Sequence, residues 1–70
     1  MPLPLTPRHI QILELMKDGH EAKVVARALG MSVHTVNQHL KEIYRRLGVH
    51  KQTQAILKAI QLGLITPPPP

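Results

Sequence analysis

The sequence predicts an all-α protein, a four-helix bundle that contains a helix-turn-helix. Apolar residues recur along the chain at the three- and four-residue spacing of helix faces. Residues that favour helix starts and helix ends bracket these stretches. No stretch alternates apolar and polar residues as a half-buried strand does. At 70 residues the chain makes one small domain, and we expect its stability to be marginal.

The first helix begins at Thr6-Pro7, because threonine caps helices and proline fits the first helical position. It should run to about Asp18, with Gly19 as the stop. Its inner face carries Ile12, Leu13 and Met16.

A short second helix should run from about Glu21 to Leu29, with Val25, Ala26 and Leu29 buried. Small Ala26 lets this helix cross the next one closely. Gly30 makes a tight connection to Ser32, a natural N-cap. Two helices joined by a short glycine-containing turn form a helix-turn-helix, a motif that also occurs in proteins that do not bind DNA.

The third helix is the most informative segment, and it should run from Ser32 to Gly48. Its apolar face is predicted to contain Val33, Val36, Leu40, Ile43 and Leu47. The opposite face carries amides and positive charge and is expected to have no carboxylate: His34, Asn37, Gln38, Lys41 and Arg45. Such a face can read bases in a major groove. Taken alone, the segment fits an ordinary amphipathic surface helix equally well.

A fourth helix should run from about Thr53 to Leu62, where Gly63 stops it. It is apolar on too many sides to face one small core. The residues concerned are Ala55, Ile56, Leu57, Ala59, Ile60 and Leu62. Some of them should form a second, exposed surface, which is either a homodimer contact or a face covered by another domain.

The helices lie in one domain, residues 5–65. Residues 1–4 are expected to be a flexible N-terminal segment, because two prolines keep them from being helical. Residues 66–70 are a proline-rich tail that should adopt polyproline II structure.

The amino-acid composition favours some classes of function and excludes others. Nine Lys and Arg against four Asp and Glu, with a pI near 10.3, indicate an anionic partner, first of all nucleic acid. The acidic residues are dispersed and no glycine-rich phosphate loop is present, so an enzyme is not expected. There is no cysteine, and no two of the five histidines share a helix face, so neither a metal site nor another cofactor is expected.

No apolar run approaches the length of a membrane span, and the N-terminus lacks a signal-peptide pattern. A location in the cytoplasm and no membrane partner are therefore expected.

One family pattern matches the residues in order, without gaps, over about residues 5–65. The matching residues are Leu5-Thr6-Pro7-Arg8, Ile12-Leu13, Gly19, Lys23, Ala26, Leu29, Ser32, Thr35-Val36, His39, Leu47-Gly48-Val49, Ala55 and Leu62-Gly63-Leu64-Ile65. This pattern resembles the LuxR/GerE-type DNA-binding domain, the C-terminal module of many bacterial response regulators and quorum-sensing regulators.

The resemblance implies sequence-specific binding to double-stranded DNA and regulation of transcription, with the third helix, about residues 33–47, in the major groove. It implies a homodimer through the last helix, and RNA polymerase as a further partner. The residues that would carry the dimer are Ile56, Leu57 and Ile60. The alternative is a protein-interaction or regulatory domain that keeps the fold without binding DNA.

The resemblance also assigns roles to individual residues. The positions that read bases in the family are Asn37, Gln38 and Lys41 here, and those that contact phosphates are Lys23, Thr35 and Arg46. His34, His39 and Arg45 complete the predicted DNA-binding set. Arg45 and Arg46 also suit a helix C-terminus for electrostatic reasons alone. His39 either donates to a phosphate or supports the packing of the inner face.

Three departures from the family pattern concern helix starts. His9 stands where the family usually has Glu, so the first helix is expected to lack a capping box. Glu21 stands where Ser or Thr usually opens the second helix. Around the start of the fourth helix, Gln52 and Gln54 replace Arg and Glu, and nearby Lys51 is a candidate to supply the missing charge.

Overall fold

A computed structural model describes residues 4–67, which form four helices and no strand. The helices are α1 (Pro7–Lys17), α2 (Ala22–Leu29), α3 (Val33–Leu47) and α4 (Gln52–Gln61). The all-α prediction is confirmed, and the predicted helix ends agree within one residue. Helix α3 packs against each of the other three helices. Its inner side is therefore held in place, while the other side remains available for contacts.

The start of α1 contradicts the expectation of a missing capping box. The hydroxyl of Thr6 accepts a hydrogen bond from the backbone N–H of His9, and Nδ1 of His9 accepts one from the backbone N–H of Thr6, both at 3.2 Å. The imidazole nitrogen thus does what the family's glutamate carboxylate oxygen does in a capping box. The expectation is wrong because the unprotonated ring nitrogen of histidine is a hydrogen-bond acceptor, as a carboxylate oxygen is.

The turn between α2 and α3 depends on Gly30. Its φ of 68° is in the left-handed region, where only glycine is unstrained. This conformation lets the N–H of Met31 donate to the carbonyl of Ala26 at 2.9 Å. One residue further on, Ser32 caps α3 by accepting from the N–H of Thr35 at 3.1 Å. No side chain caps α2, where Glu21 stands.

The core is made of aliphatic side chains and one methionine. Its buried apolar residues are Leu5, Ile12, Leu13, Met16, Val25, Ala26, Val36, Leu40, Ile43, Leu47, Ala55, Ala59 and Ile65. Leu29 is only partly buried against them. The prediction that Val33 belongs to the buried face is wrong, since it is 41% exposed. It occupies the first helical position, and its side chain leans toward the N-terminus, beyond the packed part of α3.

The segments that flank the helices are anchored. Leu5 before α1 and Ile65 after α4 are both buried in the core. Thr66, which the sequence assigns to the tail, accepts two hydrogen bonds from the ammonium of Lys17, each at 2.8 Å, and donates its backbone N–H to Glu14. The rest of the predicted N-terminal segment, residues 1–3, and of the tail, residues 68–70, lies outside the described residues.

Helix α4 divides its apolar residues between two surfaces, as its sequence predicts. Ala55 and Ala59 are fully buried, whereas Leu57 is 60% exposed. Ile56 and Ile60 lie between these extremes and are partly buried. At the start of this helix, the Gln54 side chain accepts the backbone N–H of His50 at 3.0 Å. Gln54 stands where the family usually has glutamate, and its amide oxygen provides a local hydrogen-bond acceptor at that position.

Candidate nucleic-acid interface

The outward side of α3 presents most of the predicted DNA-binding residues. Five of its polar side chains are exposed: His34, Asn37, Gln38, Lys41 and Arg45. They share this side because the core residues of the helix occupy the opposite one. The structure thus brings together the residues that the sequence assigns to base reading.

An open concavity of about 450 Å³ runs along one flank of this face, and it is lined by His34, Asn37, Leu40, Lys41 and Tyr44. Tyr44 was not predicted to belong to the site. It is partly buried, and burial raises the pKa of its hydroxyl, which is already well above neutral, so the hydroxyl is protonated and able to donate. Its spacing of seven residues from Asn37 and three from Lys41 is the sequence signal that could have identified it.

The N-terminus of α3 is suited to an anion. The positive end of the helix dipole lies there, and the first turn contains no acidic residue. The hydroxyls of Ser32 and Thr35 are 2.9 Å apart and hydrogen bonded to each other. Lys23 of α2, which is predicted to contact a DNA phosphate, is also exposed. The two hydroxyls can donate hydrogen bonds to a phosphate at this end of α3, and the helix dipole attracts its negative charge.

A carboxylate lies beside the other end of the polar face and pairs with Arg45, a contact that the expectation of a carboxylate-free face did not include. Glu42 accepts hydrogen bonds from Arg45 and from Arg46, whose Nε lies 2.7 Å from Oε1 of Glu42. The two hydrogen bonds from Arg45, and next the one from Arg46, lower the pKa of Glu42 to about 2. Glutamate three and four residues before arginine is a well-known helix pairing, so the spacing could have predicted these ion pairs.

His39 packs toward α1. Its ring is 5.4 Å from the ring of His9, and the two planes make an angle of 71°. His39 is partly buried, and His9 is almost fully buried. This placement favours the packing role that the sequence left open for His39. No sequence pattern links the two histidines, which are 30 positions apart and meet only in the folded chain.

Within residues 4–67, no three histidine, cysteine or acidic side chains lie where they could hold a metal ion together. None of the helices described is long and apolar enough to span a membrane.

The arrangement of α2, the Gly30 turn and α3 defines the class of protein, a helix-turn-helix domain. The family model of bacterial regulatory proteins of the luxR family matches residues 3–59. The chain therefore belongs to the luxR family, as the resemblance implied, and is not an enzyme.

Individual relatives agree with this assignment. The chain is 34% identical over 61 residues to the transcriptional regulatory protein DegU of Brevibacillus brevis, and 39% identical over 64 residues to the transcriptional activator protein CarR of Pectobacterium carotovorum subsp. carotovorum. These alignments cover 87% and 91% of this chain but only 26% of each relative. The chain thus spans about a quarter of their length.

A solved structure of the transcription factor GerE has the same fold. It superimposes with a TM-score of 0.89 at 31% sequence identity, and the match covers 93% of this chain and 97% of the GerE chain. The protein is accordingly a DNA-binding transcription regulator domain of the luxR family.

Proposed function

We propose that α3 enters the major groove of double-stranded DNA and reads its sequence. The observation that carries this proposal is the exposed polar and basic side of α3, whose opposite side is held by the other three helices. A helix held in this way can present side chains to base edges without rearranging. The DNA-binding unit would comprise residues 5–65, and it would act in the cytoplasm, where a bacterium keeps its DNA.

The side chains divide by their chemistry. The amides of Asn37 and Gln38 can each make two hydrogen bonds to adenine, and Lys41 can donate to guanine. Thr35, at the N-terminus of α3, and Lys23, on α2, are suited to phosphates. His34 extends the reading surface toward the start of the helix.

Three further residues of the predicted set have partners within the protein. Arg45 and Arg46 can reach phosphates beyond the C-terminal turns of α3, but both are bound to Glu42 in the free chain. His39 packs against His9, so its contribution to binding would be to position the helix.

We expect Lys41→Ala to weaken binding to the preferred duplex by about 1–3 kcal/mol, the usual loss when a base contact is removed. The preferred duplex would first be selected from random-sequence DNA, and affinities would then be measured by fluorescence anisotropy. Lys58→Ala on α4 is the matched control, because it removes the same charge from an exposed position outside α3. Equal losses for the two variants would show that Lys41 contributes only general charge.

We also propose that two copies of the chain pair through the exposed apolar side of α4, formed by Ile56, Leu57 and Ile60. Leu57 is the most exposed large apolar side chain of the described residues, at 60%. Two-fold pairing would present two copies of α3 to successive major grooves of a palindromic site.

Leu57→Lys is expected to raise the dissociation constant of this dimer by roughly tenfold or more, because a charge would be buried at its centre. Sedimentation equilibrium over a range of concentrations measures that constant. Val24→Lys introduces the same charge at an exposed valine of α2 and should leave the dimer intact. A wild-type chain that stays monomeric at all concentrations would exclude pairing through α4.

Because the relatives are about four times longer, we propose that this domain is the output module of a regulator whose other part receives a signal. A contact with RNA polymerase stays a prediction of the family resemblance.

A further inference from the structure

Glu42 is the one acidic residue of α3, and it lies beside the face that we propose enters the groove. Both of its carboxylate oxygens accept from Arg45, and Oε1 also accepts from Arg46. A single carboxylate therefore occupies two guanidinium groups that could otherwise bind phosphate. Guanidinium groups bind carboxylates and phosphates with the same paired N–H geometry, so the two anions compete directly.

The two arginines are held to different extents. The Arg45 side chain is 72% exposed and has Glu42 as its partner. The Arg46 side chain is 36% exposed, and its Nη1 also donates to the backbone carbonyl of Pro4 at 3.3 Å. Exposed ion pairs of this kind contribute little free energy and so exchange partners readily. Arg45 is therefore free to leave Glu42, whereas Arg46 has a second partner in the N-terminal segment.

We propose that Glu42 is a specificity-determining residue, which keeps Arg45 from phosphates unless α3 is fully seated in the groove. When a phosphate comes within hydrogen-bonding distance, it can displace the carboxylate from Arg45. When the helix lies further out, as on DNA of the wrong sequence, Glu42 keeps the arginine and repels the phosphates. The inference rests on the proposed placement of α3 in the major groove.

This arrangement weakens the sequence-independent part of binding more than the specific part. Binding to DNA of arbitrary sequence depends almost wholly on phosphate contacts and counterion release. Because the Glu42 carboxylate keeps Arg45 paired, non-specific binding has one phosphate contact fewer. In the seated complex the contact is regained, so the ratio between specific and non-specific affinity rises.

The test compares Glu42→Gln with Asp18→Asn in the 70-residue chain. Glutamine keeps the shape and an acceptor oxygen at position 42 but loses the charge. Asp18→Asn makes the same change of net charge at the exposed C-terminal end of α1, outside α3. Affinity is measured over a range of salt concentrations for two probes, the preferred duplex and a mixed-sequence duplex of equal length.

Glu42→Gln should strengthen binding to the mixed-sequence duplex by roughly fivefold and steepen its logarithmic salt dependence by about 1, the value for one added phosphate contact. Binding to the preferred duplex should change by less than about twofold, so the specificity ratio falls. Asp18→Asn should leave that ratio at the wild-type value. The proposal is overturned if Glu42→Gln strengthens both duplexes equally, or if it changes the ratio no more than Asp18→Asn does.

Lys41→Ala separates this inference from the placement of α3. If Lys41→Ala weakens preferred binding while Glu42→Gln leaves the ratio unchanged, α3 reads DNA and Glu42 has no part in specificity. If Lys41→Ala changes the affinity for neither duplex, the proposed placement of α3 fails, and the role of Glu42 fails with it.

Discussion

The Ile43→Ala variant is expected to lose about 2–5 kcal/mol of unfolding free energy and to be substantially unfolded at room temperature. Ile43 is fully buried on the inner side of α3, so alanine would leave a cavity where several helices meet. A core in a chain of this size rarely supplies more than about 3–5 kcal/mol of net stability. The loss is therefore comparable to the whole stability of the domain. Urea unfolding followed by far-UV circular dichroism measures it.

Two variants keep this prediction testable if Ile43→Ala does not fold at all. Ile43→Val removes a single methyl group and should cost about 0.5–1.5 kcal/mol, with a folded baseline still visible. Val24→Ala removes apolar groups from a valine that is 41% exposed on α2, and it should change stability by less than about 0.5 kcal/mol. A small effect of Ile43→Val, no larger than that of Val24→Ala, would contradict the burial of Ile43.

The stability of the wild-type chain is expected to decline as the pH falls below about 6.5, and His9 is the cause. Burial first, and then the charges of His39 and Arg46, lower the pKa of His9 below its ordinary value of 6.5, while Glu42 opposes them. The folded chain therefore binds a proton at His9 less readily than the unfolded chain. The stabilisation is fully present above pH 6.5 and is lost as the pH falls toward the lower pKa of the folded state.

Protonation of His9 also removes a hydrogen bond. Nδ1 is the acceptor for the backbone N–H of Thr6, and a protonated nitrogen cannot accept. The loss of unfolding free energy should be visible by urea unfolding at a series of pH values between 5 and 8, roughly the range in which histidine titrates. Acidic residues contribute separately and at lower pH, because the lowered pKa values of Glu14 and Glu42 affect stability only below about 4.5.

His9→Gln tests whether His9 causes this decline. Glutamine at this third helical position can complete the capping box and carries no titrating group, so the variant should lose most of the decline below pH 6.5. His9→Ala should cost about 1–3 kcal/mol at pH 7, because it removes both the cap and a buried ring. An unchanged pH dependence in His9→Gln would assign the titration to another residue.

Much of the fold could be predicted because its signals are local. Apolar spacing places Ile12, Leu13 and Val36 on inner faces, and cap residues such as Thr6 and Ser32 mark helix starts. Helical hydrogen bonds and side-chain periodicity involve residues only a few positions apart, so they leave a pattern in the sequence itself. The polar face of α3 could be predicted from the same helical periodicity.

The errors concern residues whose environment depends on distant parts of the chain or on an unexpected chemical role. Val33 fits the apolar period but lies at the end of α3, where no neighbouring helix covers it. His9 replaces the family's usual glutamate, yet its imidazole nitrogen accepts the same hydrogen bond. The ion pairs of Glu42 were overlooked despite their favourable spacing.

By itself, the sequence determined the four helices, their ends, the family and the side of α3 that carries amides and positive charge. These follow from local periodicity, capping chemistry and the order of matching residues. Only the tertiary structure decided that His9 and His39 meet, that Arg46 reaches Pro4, and that Lys17 holds Thr66. Such contacts join residues 30 or more positions apart, and they arise from how the helices pack rather than from any repeating pattern in the chain.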